Sequence, residues 1–315
     1  MREIVQLPGL GANTDPRVQR VLLREALARP EPLVLPGVTD AMGVRMVEAA
    51  GFTAAYATGA GLANAQYALP DVGLISLGEV VEHVGRLTSA SSLPVVVDAD
   101  TGYGGPLSAM RTVRLLERAG AAGIQIEDQD MPKRCGHFDD HSLIPAKHMQ
   151  TKIAAAVEAR ADDNLVIIAR TDARSVYDID EAIARGKEYL AAGADVLFVE
   201  APRTIDELAL VGREFAGVPL MVNVVEGGKT PQLQLSEYAD LGFSVILYAN
   251  YLMRTMLRAG IAALDHLKEH GETASRAGDM VTWNERQSLF QAAQFTAAEA
   301  LLDRPFDELE AEGKS

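Results

Sequence analysis

Lys133-Arg134-Cys135-Gly136-His137 carries the only cysteine of a 315-residue chain. A lone cysteine is more often a small, inert core residue than a reagent. This one has two cations and an imidazole within two residues, an electropositive setting that lowers a thiol pKa and eases proton transfer. The segment follows the apolar run Gly123-Ile124-Gln125-Ile126, which ends in Glu127-Asp128. A thiol, cations, a histidine and carboxylates are therefore expected together on one strand-end loop.

Asp98 and Asp100 stand two apart in Val97-Asp98-Ala99-Asp100, so on a strand their side chains share a face. With Glu127 they form three acids that repel one another unless a cation joins them. A hard divalent ion answers that need, and Mg²⁺ fits best, with Mn²⁺ as a substitute, because it takes one or two carboxylates plus waters and substrate oxygens. Zinc suits the set poorly, since imidazole is scarce in it. The alternative is that these acids pair with Lys133, Arg134 or Arg170. Thr58-Gly59-Ala60-Gly61 offers consecutive N–H groups beside a hydroxyl, either an anion-binding concavity or simply a tight strand-to-helix turn. Gly228-Lys229-Thr230 resembles the end of a nucleotide-binding loop, but Asn223 replaces its opening glycine. Arg170 at a strand end calls for an anionic ligand or a carboxylate partner.

Eight short apolar runs could position these residues: Leu33–Val38, Ala54–Gly59, Pro94–Asp100, Gly123–Asp128, Leu165–Asp172, Val196–Ala201, Pro219–Val225 and Ser244–Asn250. Between them lie helical patterns such as Ala109–Ala119, Ala182–Ala192 and Ile205–Phe215. The alternation predicts an α/β fold, a (β/α)8 TIM-type barrel, with an open doubly wound sheet as the alternative. The expected division is an N-terminal helical segment over 1–32, the barrel over 33–270 and a C-terminal helical extension over 271–315. In such a barrel chemistry sits at the strands' C-terminal ends. There the chain places Tyr56, Asp98, Asp100, Glu127, Arg170, Glu200, Asn223, Tyr248 and Asn250.

A net charge of −15 argues against nucleic acid or an anionic membrane as partner. No apolar run approaches the roughly 20 residues that span a bilayer, and no signal-like core follows the start. One cysteine gives no internal disulfide framework. The expected location is the cytoplasm.

These residues resemble the isocitrate lyase and phosphoenolpyruvate mutase superfamily. The resemblance runs from about Leu33 to Thr282 and rests on Thr58-Gly59-Ala60-Gly61, Pro70-Asp71, Asp98 to Gly102, Glu127-Asp128-Gln129, Lys133 to His137, Ala169 to Asp172, Glu200-Ala201-Pro202 and Asn223. The Cys-Gly-His form points to its carbon–carbon lyases, the branch of methylisocitrate lyase, 2,3-dimethylmalate lyase and the petal death protein. The resemblance implies Mg²⁺-dependent retro-aldol cleavage of a 2-hydroxy di- or tricarboxylate. The metal would lie on Asp98, Asp100 and Glu127. Cys135 would protonate the departing carbanion, with Tyr56 the candidate base and His137 and Arg170 assisting. Thr58, Gly59, Ala60, Asp71, Gly136, Arg170, Glu200, Asn223 and Arg254 would bind substrate.

Two departures bear on the substrate. Of two C-terminal arginines that serve a third carboxylate in methylisocitrate lyase, Arg254 matches one, while Trp283 replaces the other. Ala249 stands where the oxaloacetate hydrolase branch carries a small hydroxyl residue. Oxaloacetate decarboxylation or hydrolysis is thus the alternative activity, and a non-catalytic small-molecule-binding barrel the remote one. The helical-looking tail from Trp283 to Leu302 resembles an element that lyase members exchange between subunits, which implies a homo-oligomer, a tetramer; packing on its own barrel is the alternative.

Overall fold

The computed structural model describes residue 7 and residues 15–134 and 142–303. Eight strands close a parallel barrel in sequence order: β1 Leu33–Val38, β2 Ala55–Ala57, β3 Val95–Asp98, β4 Gly123–Glu127, β5 Val166–Thr171, β6 Val196–Val199, β7 Leu220–Asn223 and β8 Val245–Tyr248. Leu33–Pro36 of β1 pair with Val245–Tyr248 of β8, which seals the ring. The barrel is the architecture expected from the sequence. Its strands were legible because a parallel strand covered on both faces reads as an unbroken apolar run.

The helices are α1 Pro16–Leu27, α2 Ala41–Ala49, α3 Gly59–Tyr67, α4 Leu77–Ala90, α5 Pro106–Arg118, α6 Ala146–Ala159 and α7 Ala173–Val176, followed by α8 Ile179–Ala191, α9 Ile205–Glu214, α10 Leu235–Asp240, α11 Tyr251–His270, α12 Trp283–Leu289 and α13 Ala292–Leu302. Local chemistry sets their starts. Asp15 accepts from Arg17 N ahead of Pro16, and Ser76 and Glu79 form a capping box on α4. Gly120 and Gly193, both at positive φ, follow α5 and α8 closely. No described helix is long and apolar enough to cross a membrane.

The period-two alternation of the strands divides the core. Leu35, Tyr56, Val96, Ile168, Phe198, Met221 and Leu247 belong to one buried cluster inside the barrel. Their sequence neighbours Val97, Ile124 and Ile167 pack outward in a second cluster with Val84, Leu116 and Ile153 of the helices. Helix α1 adds Leu23 and Ala26 to the inner cluster. Arg20 of α1 donates to the Glu117 and Ala121 carbonyls that precede β4, and Arg24 to those of Asp163, Asn164 and Leu165 that precede β5. The N-terminal end of the barrel is thereby covered, and the C-terminal end is left for a site.

His83 on α4 is buried in the outer layer, and its Nε2 has no hydrogen-bond partner. Burial, reinforced by Arg86 and opposed by Asp40, pushes its pKa down to about 4. In the unfolded chain histidine titrates near 6.5, so the unfolded state binds more protons between about 6.5 and 4. Stability is therefore expected to fall as pH drops through that window, with His83 contributing about 3 kcal/mol of the loss. Urea unfolding of wild type and His83→Leu at pH 7 and pH 4.5 measures it; equal pH slopes in the two proteins would remove His83 as the cause.

Candidate active site

Extending the inward alternation past each strand's last core residue generates a polar mouth. Tyr56 leads to Thr58 on β2, Val96 to Asp98 and Asp100 on β3, Gln125 to Glu127 on β4, Ile168 to Arg170 on β5, Phe198 to Glu200 on β6, Met221 to Asn223 on β7, and Leu247 to Ala249 on β8. A cavity of about 140 Å³ is lined by Tyr56, Thr58, Ala60, Asp71, Asp98, Glu127, Lys133, Arg134, Arg170, Glu200, Asn223 and Asn250, with Val225, Leu247 and Ala249 as its apolar part. Nine of the candidate site residues thus meet around one space, while Gly59 and Asp100 lie beside it against Asp98. Cys135, Gly136 and His137 lie outside the described residues. Of the described residues next to them, Arg134 lines the cavity, with Gln129 donating to its O and accepting from its N at 2.8 Å each, and Ser142 O accepts from Asp130 N.

Arg254 is not among the residues that line the cavity. It sits on α11 and gives its guanidinium to the Glu226 carbonyl at 2.9 Å and the Glu226 carboxylate at 3.1 Å. Trp283 lies outside the cavity too, exposed on α12 with Arg286 stacked over its ring at 4.0 Å. The tail that looked like one helix is two, interrupted at Gln291, where φ is 56°.

Two cations organise the acids. Lys133 Nζ pairs with Asp71 and lies 2.8 Å from Asp100. Burial alone would lower the Lys133 pKa, but Asp100, Glu127 and Asp71 outweigh it and hold the ammonium well above its ordinary value. Burial raises Asp100 to about 6 against the pull of Lys133, and raises Glu127 well above the usual carboxylate range against the pull of Arg170. Arg170 donates to both Asp172 oxygens, from Nε at 3.0 Å and Nη2 at 2.8 Å. Its Nη1 is 3.3 Å from Glu200 and its Nε 3.6 Å from Glu127, while its plane lies over Phe198 at 5.2 Å.

The Thr58 loop is the N-terminus of α3, with Thr58 Oγ1 accepting from Gly61 N. Gly59 N donates to Asp98 Oδ2, so part of this loop already serves a carboxylate of the protein. Gly59 has to be small: a Cβ there would meet Asp98 Oδ2 at 3.1 Å and Asp100 Oδ1 at 3.4 Å. Tyr56 donates to Gln125 Oε1 at 2.7 Å. Burial, then the Asp98 charge, raise its phenol pKa well above 10, so in these surroundings Tyr56 keeps its proton. Service as a base requires a positive charge added near Asp98.

Among the described residues no group of three or more His, Cys, Asp or Glu side chains is arranged to hold a metal ion unaided. The donors nonetheless suit Mg²⁺. Asp98 Oδ2 and Asp100 Oδ1 face the same point beside Gly59, and the buried Glu127 Oε1 accepts no hydrogen bond. Oxygen donors supplying one or two direct bonds, completed by water and substrate, are what that ion takes.

Comparison with known proteins places this geometry. The family model for phosphoenolpyruvate phosphomutase matches residues 23–268. The 2,3-dimethylmalate lyase of Eubacterium barkeri is 39% identical over 267 residues, covering 85% of this chain and 92% of that protein. The chain belongs to the phosphoenolpyruvate mutase/isocitrate lyase superfamily. The 2-methylisocitrate lyase of Shewanella oneidensis is 38% identical over 90% of this chain and 96% of its own length. A crystal structure of 2,3-dimethylmalate lyase superposes with a TM-score of 0.85 at 34% identity, covering 90% of this chain and 95% of that one. Phosphonopyruvate hydrolase in complex with oxalate and Mg²⁺ superposes at 0.81, with 29% identity over 90% and 98% of the two chains.

Sequence reading missed three residues that hold this site together. Gln125 reads as a polar break in an apolar strand, yet it anchors Tyr56. Asp172 and Asp128 read as strand-end acids, yet they grip Arg170 and its strand. The signal for Asp172 was present in Arg170-Thr171-Asp172, where a two-residue spacing puts cation and carboxylate on one face. Lys133→Met leaves Asp71 and Asp100 without their cation and is expected to cost about 3–5 kcal/mol of stability. Urea unfolding should show that loss, and adding Asp71→Asn should return part of it; a neutral Lys133→Met would discount the pair.

Proposed function

We propose that this chain is a Mg²⁺-dependent carbon–carbon lyase that cleaves a 2-hydroxy dicarboxylate by a retro-aldol reaction, releasing a 2-oxo acid such as pyruvate and a second carboxylate. The observation that carries the reading is the barrel-mouth cavity, where the buried Arg170 and the Asp98 and Glu127 carboxylates line one space of about 140 Å³. The relatives named lyases support the chemistry. The metal reading draws on the Mg²⁺ and oxalate of the phosphonopyruvate hydrolase complex.

Asp98 and Asp100, with Glu127 through water, would hold the ion, which would supply Lewis-acid polarisation of the substrate's C1 carboxylate and 2-hydroxyl oxygens. Arg170 and the α3 N-terminus at Thr58, Gly59 and Ala60 would bind a carboxylate, and Asn223 and Glu200 would orient it. Tyr56 beside Asp98 would take the hydroxyl proton once cation charge lowers its pKa. As the 2-hydroxyl becomes a carbonyl, the C2–C3 electron pair passes to the departing carbon. Cys135 would deliver the proton that this carbon needs, so Cys135→Ser is expected to lose on the order of 10² or more in kcat while still binding diacids. Near-wild-type turnover of that variant would return Cys135 to packing.

The cavity favours a 2-alkylmalate such as 2,3-dimethylmalate over 2-methylisocitrate. Arg254 is committed to Glu226 outside the cavity, so a third carboxylate would be buried without a dedicated cation, at a cost of several kcal/mol. Val225, Leu247 and Ala249 offer apolar surface for alkyl groups instead. Helices α11, α12 and α13 contain no buried residue, and Leu257, Leu264, Trp283 and Phe290 are exposed on them. A second copy covering these faces is the reading, in a dimer-based assembly, a tetramer, that exchanges C-terminal helices. We place the enzyme in the cytoplasm, with residues 1–32 and 271–315 as extensions of a barrel over 33–270.

A panel of 2-alkylmalates, 2-methylisocitrate, isocitrate and oxaloacetate, with product identification before and after chelation, tests the reading. Cleavage of 2,3-dimethylmalate with higher kcat/KM than 2-methylisocitrate, abolished by chelation and restored by Mg²⁺ or Mn²⁺, is expected. A preference for 2-methylisocitrate would overturn the ranking, full activity after exhaustive chelation the metal, and turnover of oxaloacetate alone the lyase assignment.

A further inference from the structure

Arg170 is one of the cations that line the cavity, yet its position is not set from within the cavity. Its Nε and Nη2 donate to the two oxygens of Asp172, a fork-on-carboxylate pair in which Asp172 is fully buried. Guanidinium has five N–H donors, so this grip leaves three, all on the Nη1 and Nη2 side, and Nη1 faces Glu200. Asp172 would ordinarily cap α7, which begins at Ala173, but its side chain makes no capping bond. The carboxylate is given to Arg170 instead.

Asp172 is held in turn from behind the barrel wall. Asp128 follows Glu127 and has the opposite side-chain parity, so it faces away from the cavity toward α8. Its Oδ1 accepts from the Asp172 backbone N at 3.0 Å. Its Oδ2 accepts from Thr171 Oγ1 at 2.8 Å, Tyr189 Oη at 2.8 Å and Arg185 Nη1 at 3.1 Å. Arg185 and Tyr189 belong to α8, so one fully buried carboxylate joins the ends of β4 and β5 to that helix. Four donors on one carboxylate fix it in a single orientation.

We propose that Asp172 is a positioning residue that presents Arg170 to a substrate carboxylate, and that Asp128 locks Asp172 in place through the Thr171–Asp172 backbone. The proposal rests on the reading of Arg170 as a carboxylate ligand. Without Asp172 the guanidinium has two other carboxylates within reach, Glu200 at 3.3 Å and Glu127 at 3.6 Å. Released from Asp172, it would close on one of them and give up to it the donors a substrate needs. Asp172 therefore acts as a competitor that limits the hold of Glu200 and Glu127 on Arg170.

Asp172→Asn keeps the size but turns one oxygen into a donor that repels the guanidinium. The variant is expected to weaken oxalate binding in the presence of Mg²⁺, read by calorimetry, by about ten-fold or more, and to raise KM more than it lowers kcat. Because Asp172 acts through Arg170, the same change made on Arg170→Ala should alter oxalate affinity less than about two-fold. Equal losses on both backgrounds would overturn the proposal. A crystal structure of Asp172→Asn tests it without reference to activity: Arg170 should have moved toward Glu200 or Glu127, and an unmoved guanidinium overturns the proposal. A wild-type protein that neither cleaves diacids nor binds oxalate would sink the functional reading and leave this structural test standing. Should Asp172→Asn fail to fold, Thr171→Val removes one donor from Asp128. It should weaken oxalate binding about three-fold with a displaced Arg170, and unchanged binding with an unmoved Arg170 overturns the proposal.

Discussion

The barrel mouth depends on buried positive charge being rationed among more numerous carboxylates. Lys133 serves Asp71 and Asp100; Arg170 serves Asp172, Glu200 and Glu127. Asp98 is a sixth acid at the same mouth, and these groups are largely buried, where a charge without a partner is costly. Burial answers in part by raising the pKa of Asp100 and Glu127. The proposed divalent ion would answer the rest, so that proposal draws on electrostatics as well as on relatives.

The fold makes that arrangement affordable by separating tasks across the barrel wall. Inward parity carries Tyr56, Asp98, Glu127, Arg170 and Asn223 into the cavity. Outward parity carries Asp128 and Thr171 into the layer of helices, where α8 supplies Arg185 and Tyr189. A site built on strand ends inherits the rigidity of a closed hydrogen-bonded ring, while groups outside the ring orient it. Asp100 extends this logic to the backbone, since it stands at φ 46°, a left-handed conformation that costs a non-glycine residue about 1 kcal/mol or more. The Lys133 pair and the turn closed by Gly102 N on Ala99 O hold it there.

The substrate ranking comes from what the cavity lacks. Leu247 and Ala249 end β8 with apolar surface, and Arg254 turns one helical turn later to Glu226. A dicarboxylate with an alkyl substituent matches one cationic side and one apolar side.

The order of strands and the list of polar strand ends were readable from sequence, because burial on both faces writes continuous apolar runs and because a barrel's chemistry gathers where those runs stop. Asp98, Asp100, Glu127, Arg170, Glu200 and Asn223 were found that way, and the structure brings all but Asp100 around one cavity, with Asp100 beside it on Lys133. Partnership was not readable. That Lys133 reaches Asp71, 62 residues away, or that Asp128 meets Tyr189, 61 residues away, depends on how helices pack on the closed ring. Arg254 shows the same limit from the other side. It matched a family position in sequence; that it meets Glu226, 28 residues away, is seen only in the fold. Residue type and strand parity are local and survive in sequence; which charge neutralises which is decided by distances that exist only after the ring has closed.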